Sequence, residues 1–236
     1  MTGKYSVGGI VGYEYPDANG PVDIYNCGVS ASSSLVATAC DTGGNPTKGD
    51  SMIGGIAGWV RCKDSGSTFK IVNCYSHASI ACDLAMAHPS AGGILGYVSL
   101  SSAGTGLIQN CTSNITADRL QVGGAAVTSS ATQYGAVYGL LPDHTGITVS
   151  NCYYVDGLPI GEAGAGVVLN GNEAFAAASY TSSAKDKLNL NAAAYTAHTL
   201  YGWKAQDNLP VLSDATFTSL PGGGTENYGD ETPFTW

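Results

Sequence analysis

The sequence predicts an all-β chain, a parallel β-helix (β-solenoid) of about four rungs with a small α/β cap at its C-terminal end. Three observations predict it. Two short phrases recur in a fixed order four times. Both are rich in Ile and Val and are bounded by Gly, Asn, Ser or Asp, the composition of short strands between turns. No stretch before residue 158 sustains a 3.6-residue apolar period long enough for a helix.

The first phrase is Val7-Gly8-Gly9-Ile10-Val11-Gly12-Tyr13. It returns as Ile53-Gly54-Gly55-Ile56-Ala57-Gly58-Trp59, as Ala91-Gly92-Gly93-Ile94-Leu95-Gly96-Tyr97 and, degraded, as Tyr134-Gly135-Ala136-Val137-Tyr138-Gly139-Leu140. The second is Ile24-Tyr25-Asn26-Cys27, followed by Ile71-Val72-Asn73-Cys74, Ile108-Gln109-Asn110-Cys111 and Val149-Ser150-Asn151-Cys152. The Asn-Cys pair advances by 47, 37 and 41 residues. Looser third strands are expected at Ser34 to Cys40, Ser79 to Met86 and Ile115 to Val122. Three short strands per repeat make one rung of a solenoid.

The residue two before each Asn is Ile, Ile, Ile and Val, so it faces the core. The residue between them is Tyr, Val, Gln or Ser, which a solvent face tolerates. Asn26, Asn73, Asn110 and Asn151 fall at the bend, where Asn accepts left-handed geometry and bonds to backbone. Rungs stack at about 4.8 Å, so the four side chains are expected to form one hydrogen-bonded ladder. Cys27, Cys74, Cys111 and Cys152 then point inward as a column of small apolar thiols. Their parallel Cβ vectors do not offer the torsion a disulfide needs, so they are expected to be reduced. Spacing alone leaves a pairing of Cys40 with Cys82 or Cys62 open, with Cys62 placed in a loop beside Arg61 and Lys63. The Gly pairs mark tight turns or close approach of backbone between rungs. A phosphate-binding loop would need Gly-Lys-Ser/Thr and a following helix, and the sequence has neither.

Composition narrows the function. Charged residues are 11% of the chain, against about 25% in an average soluble domain. The 18 acidic and 9 basic residues give a net charge of −9, with no Lys/Arg cluster to meet a phosphate backbone, so nucleic acid is excluded as a partner. No apolar run reaches the roughly 18 residues that cross a bilayer, so no membrane insertion by this segment is expected. Neither zinc-ribbon nor thioredoxin spacing occurs among the seven Cys. With no signal peptide, the chain reads either as cytoplasmic or as an excised piece of a longer chain; the first Gly-Gly phrase, beginning at residue 7 with no cap before it, favours a truncated array with neighbouring repeats.

The alternation of Gly-Gly-Ile-x-Gly-Tyr with Ile-x-Asn-Cys-Tyr resembles the GLUG repeat of bacterial surface proteins, found in adhesin-like and IgA-peptidase-type chains. The likeness covers roughly residues 5–157. It implies a β-solenoid on the cell exterior, in stalks or adhesive regions, with no catalytic residues to transfer.

Three parts are expected: the solenoid at 1–157, a capping region at 158–220 and a flexible acidic tail or linker at 221–236. Residues 158–171 read as a Gly-rich loop. A helix is expected to start at Ser182 and to run on from Ala192 to Leu200, with Gly202-Trp203 closing it. Asn208-Leu209-Pro210-Val211-Leu212 reads as a last strand. An open solenoid end exposes unpaired backbone, so this region is expected to cap it.

No catalytic, cofactor or metal site is expected. His77, His88, His144 and His198 are not at ligand spacing and read as solvated, His77 at the surface and His144 in a turn. The acids Asp17, Asp23, Asp41, Asp50, Asp64, Asp83, Asp118 and Asp143 sit singly in loops. The loop Asp41-Thr42-Gly43-Gly44-Asn45 reads as ordinary turn chemistry rather than a calcium site. Exposed aromatics are the functional lead: Tyr13, Trp59 and Tyr97 share one repeat position, Tyr75 and Tyr153 another. Stacked across rungs, either set makes a stripe suited to sugar faces or a protein partner, unless it is packed inward or covered. The expectation is a non-catalytic, extracellular module of a bacterial surface protein, for adhesion or display, meeting glycan or host protein through such a stripe. The alternative is a polysaccharide lyase or glycoside hydrolase on the same scaffold, which would need converging carboxylates.

Overall fold

A computed structural model describes residues 1–3, 6–14, 20–38, 50–62, 66–82, 88–127 and 133–217. Cys40, the loop 41–45, the stretch 83–86, Asp17, Asp64 and the tail 221–236 lie outside the described residues. The chain is mostly β, with strands from successive repeats side by side in five sheets of four or five strands among the described residues. Pairing within these sheets is parallel, except where Ala125–Ala126 runs antiparallel to Leu120–Val122. The registers follow the repeats. Val7 pairs with Ile53, Ile53 with Ala91, and Ala91 with Tyr134. Ile24, Ile71, Ile108 and Val149 stand in one column, all buried.

The Gly-Gly phrase is the bend between two sheets, and there is no room for side chains. A Cβ on Gly54 would lie 1.9 Å from the Ala57 carbonyl oxygen, and one on Gly55 1.9 Å from that of Gly93. The tight turn within the repeat therefore fixes Gly54, and close approach of the next repeat fixes Gly55. In the fourth repeat the second glycine is Ala136, whose N–H donates to the Pro159 carbonyl.

The second phrase turns on its Asn. Asn26, Asn73, Asn110 and Asn151 all have left-handed backbone, at φ 54°, 57°, 52° and 54°. Asn73 Nδ2 donates to Asn26 Oδ1 at 2.8 Å, and Asn110 Nδ2 to Asn73 Oδ1 at 2.7 Å. The side-chain ladder ends there, because Asn110 Oδ1 is buried without a partner. Asn151 keeps the corner geometry, and the next residue in its column is Gly171, at φ 65°. Behind the corner, Cys74, Cys111 and Cys152 are buried and Cys27 half-buried, all free thiols. Cys74 and Cys111 are pushed well above the ordinary thiol range, burial being the largest cause. Cys62 and Cys82 are also free and buried. Cys62 ends the strand Ala57–Cys62 rather than lying in a loop.

Several expectations change. Among the described residues the third strands are Ser34–Ala37, Ser79–Cys82 and Leu120–Val122, the last beginning five residues after Ile115. The Gly-rich stretch is not a loop throughout. Glu162–Ala163 and Val168–Asn170 add to two of the parallel sheets, and Glu173–Phe175 to a third. This layer carries Val167, Val168 and Leu169 but neither a Gly-Gly nor an Asn-Cys phrase, so the repeat signal does not mark it.

The helix spans Ala177–Ala194, starting five residues before Ser182 and ending before Leu200. Its buried face is Tyr180, Ala184, Leu188 and Ala192, one residue per turn, too narrow a stripe to stand out in an Ala-rich segment. Gly202 and Trp203 lie within the strand Leu200–Gln206, which pairs antiparallel with Leu209–Phe217 around Asp207 and Asn208, both at positive φ. Helix and hairpin lie along the side of the sheets. They form a second apolar cluster with Val72, Tyr153 and Val155, flanked by Tyr25, Tyr75 and Leu107. The position before the Asn is therefore covered at Tyr25 and Val72, and Val72 is fully buried, while Gln109 is half-buried.

The Asn column is the seam for that cover. Asn26 Nδ2 donates to the Thr199 carbonyl at 3.0 Å, Asn73 Nδ2 to that of Tyr201 at 2.9 Å, and Asn110 Nδ2 to that of Leu188 at 3.1 Å. Trp203 Nε1 donates to Asn73 Oδ1 at 2.8 Å. Replacing Asn73 strands a buried indole N–H and breaks the ladder. Asn73→Ala is expected to cost about 3 kcal/mol in urea unfolding. Asn73→Gly should cost about 1 kcal/mol less, because only the alanine must also hold φ 57°. Equal midpoints for the two variants would contradict the backbone part of this account.

Candidate functional site: an outward aromatic column

In a strand whose inner side chains are buried, residues two apart share the outer face. Ala57–Cys62 buries Val60 and Cys62 and turns Trp59 and Arg61 outward. Trp59 pairs with Tyr13 of the strand Val11–Glu14 on one side and Tyr97 of Leu95–Leu100 on the other. The three rings form one column. Ring centroids are 5.0 Å apart for Tyr13 and Trp59 and 6.1 Å for Trp59 and Tyr97, with planes inclined by 61° and 57°. Such edge-to-face contacts add about 0.5–1.5 kcal/mol beyond the area they bury. Tyr13 is 44% exposed, and Trp59 and Tyr97 are partly exposed. The column continues through Leu140 to Glu162.

Two polar residues frame the rings. Arg61 Nη1 donates to the Tyr13 hydroxyl at 3.3 Å, and Trp59 Nε1 donates to Ser99 Oγ at 3.1 Å. Ser99 pairs with Arg61 in register. Sequence reading missed both as site residues. The signal was there, since each lies two residues beyond a ring of the column on a strand of period two.

Tyr75 and Tyr153 do not form a second stripe. Thr112 stands between them in their column, with Gly28 on the far side of Tyr75. Both are covered. Tyr153 is buried and its hydroxyl accepts from Asn191 Nδ2 of the helix at 2.8 Å. Tyr75 packs against Trp203 of the hairpin and against His77, with centroids 6.1 and 5.0 Å away.

His77 is likewise not a surface residue; it is 1% exposed. Its Nε2 lies 2.8 Å from the Pro210 carbonyl oxygen, which only accepts, so Nε2 carries the proton. Its Nδ1 is buried without a partner. The Arg119 guanidinium donates to the His77 carbonyl. Burial, with Arg119 adding to it, lowers the imidazole to about 4 from an ordinary 6.5. His144, in its turn, accepts from the Gly146 N–H at Nδ1 and donates from Nε2 to the Ser101 carbonyl. His198 stacks on Tyr25 at 4.2 Å. Only the backbone of His88, which opens the strand His88–Gly92, is described.

The described carboxylates act locally. Asp23 meets Lys70, Glu173 meets Lys187, Asp143 accepts from the Ala165 N–H, and Glu162 accepts from the Gln133 N–H. No helix among the described residues is long and apolar enough to cross a membrane. Comparison of the chain with protein-family models, with curated proteins and with solved structures returns no match.

The seat of His77 sets a pH dependence. A pKa held below its unfolded value means the unfolded chain takes up the proton first. Stability is then full above about pH 6.5 and falls as pH drops toward 4, by about 3 kcal/mol in all. His77→Gln keeps a donor for Pro210 but has no proton to take up. Urea unfolding at several pH values should show a fall in wild type that is about 3 kcal/mol steeper than in this variant. Parallel curves would contradict the neutral, buried imidazole.

Proposed function

We propose that the chain is a β-solenoid of about four rungs, akin to the GLUG repeats of bacterial surface proteins, that serves adhesion or display outside the cell without catalysis. The observation that carries this reading is the column of Tyr13, Trp59 and Tyr97 in register on an outer sheet face, its rings in contact and Tyr13 44% exposed, while Tyr75 and Tyr153 are separated by Thr112 and lie against the helix and hairpin. A soluble fold gains little by lining large rings up on an open face, and such patches mark interaction sites.

The ligand class this face fits best is a glycan. Aromatic rings present apolar faces to the C–H side of a sugar, and the Tyr hydroxyls, Ser99 and Arg61 offer polar partners for its hydroxyls. The face carries few charges, which favours a neutral or weakly charged chain of sugars over a strongly charged polymer. The carboxylates described above are each tied to a local partner, which supports a binding role over hydrolysis or lysis.

The test is a glycan array probed with the whole chain, followed by titration of the best hit by isothermal calorimetry. Saturable binding is expected, weakened at least tenfold in Trp59→Ala and unchanged in the distant Leu190→Ala. Binding only to immobilised host proteins would replace the glycan as ligand. Release of reducing or unsaturated ends from any polysaccharide would overturn the non-catalytic reading.

A further inference from the structure

The aromatic column fixes more than a ligand class. Its rings occupy one position on three adjacent parallel strands, Val11–Glu14, Ala57–Cys62 and Leu95–Leu100, so the row runs across the strands with one ring per repeat. Strands in a sheet lie about 4.8 Å apart, and the ring centroids step by 5.0 and 6.1 Å. An extended pyranose chain, linked through equatorial bonds, advances by nearly the same distance per sugar. A chain with an axial linkage coils instead, and its successive sugars leave a straight row of rings. A glycan lying along the column meets one ring per sugar only if it is of the extended kind.

The inclination of the rings narrows the choice again. Neighbouring planes meet at 61° and 57°, so no single flat surface passes over all of them. In a flat ribbon each sugar is rotated half a turn from the last, its ring planes stay nearly parallel, and it stacks best on coplanar aromatics. In a chain that rotates by a third of a turn per sugar, successive planes meet at the angle seen between these rings. Equatorially linked hexoses are held flat by hydrogen bonds that involve the exocyclic hydroxymethyl group. Pentopyranoses lack that group, and their chains take the twisted form. Edge-to-face contact already holds the rings in place, and pre-organised sites move little on binding. Charge agrees, since a net charge of −9 sets this chain against acidic polysaccharides and a pentosan backbone is neutral.

We infer that the column takes an extended, twisted pentosan of the xylan kind, lying across the strands with one sugar on each of Tyr13, Trp59 and Tyr97. The inference rests on the glycan reading above and names the linkage geometry and the sugar that this face selects. The fourth repeat ends the row of rings: Leu140 holds the equivalent position beside Tyr97, and Glu162 follows it. The site is therefore three sugars long among the described residues. Arg61 and Ser99, paired in register two residues beyond Trp59 and Tyr97, meet hydroxyls along one side of the bound chain.

Calorimetric titration of the whole chain with xylotriose, xylotetraose, xylohexaose, cellohexaose and maltohexaose tests it. Xylohexaose should bind about fivefold tighter than cellohexaose, with maltohexaose weaker still, and xylotriose and xylotetraose should agree within about twofold. Leu140→Tyr adds a fourth ring to the row and should make xylotetraose about fivefold tighter than xylotriose. Its melting temperature should not change, because the Leu140 side chain is already partly exposed. Cellohexaose or maltohexaose binding as tightly as xylohexaose would leave a glycan as ligand and overturn this inference alone. So would a Leu140→Tyr chain with no new preference for the longer sugar, or a hit elsewhere on the glycan array beside no affinity for the xylo-oligosaccharides. No glycan bound at all would remove the glycan reading and this inference together.

Discussion

The structure depends on one recurrent constraint, an asparagine that takes left-handed backbone at the same corner of every repeat. A β-branched residue or alanine resists that conformation, and glycine adopts it without offering a side chain. Asn does both things needed. It turns the chain, and its amide then reaches the neighbouring Asn and the carbonyls of Thr199, Tyr201 and Leu188. The corner sets the registers of the sheets on either side, and it is also where the C-terminal helix and hairpin attach. At Gly171 the turn persists without a side chain, and the ladder has already ended at Asn110.

Covering follows from the same arrangement. The helix and hairpin shield one flank of the sheets, tied by reciprocal bonds between Asn189 and the Trp203 backbone, and by the Tyr180 hydroxyl against Thr112. Tyr75, Tyr153 and His77 are enclosed there. Among the described residues, the face with Tyr13, Trp59 and Tyr97 receives no such cover. Two sets of aromatics with the same repeat logic thus have different neighbours, and the proposed binding role belongs to the set away from the helix and hairpin.

The sequence made the repeat legible because its signals are steric and local. Gly54 and Gly55 have no space for a Cβ, Asn73 sits at positive φ, and Ile71 is wholly buried. Each leaves a residue type that recurs. The outer column of Tyr13, Trp59 and Tyr97 was legible for the same reason. What lay hidden was long-range contact. Nothing local tells that Val72 or His77 is covered by residues more than a hundred positions later in the chain, as the bond from His77 to Pro210 does. The layer at Glu162, Val168 and Glu173 was illegible because neither repeat phrase recurs in it. The start of the helix was missed because a face of Tyr180, Ala184, Leu188 and Ala192 is nearly silent beside many other alanines.

The account stands on the corner asparagines being stacked and roofed by the C-terminal segment. Nuclear Overhauser contacts among side-chain amides in solution test this most directly. The account predicts cross-peaks from the Asn73 amide protons to those of Asn26 and Asn110, and from the Trp203 indole N–H to Asn73, with that indole proton exchanging slowly. An Asn73 amide with no such cross-peaks, together with a Trp203 indole proton that exchanges as fast as in an unfolded chain, would contradict it.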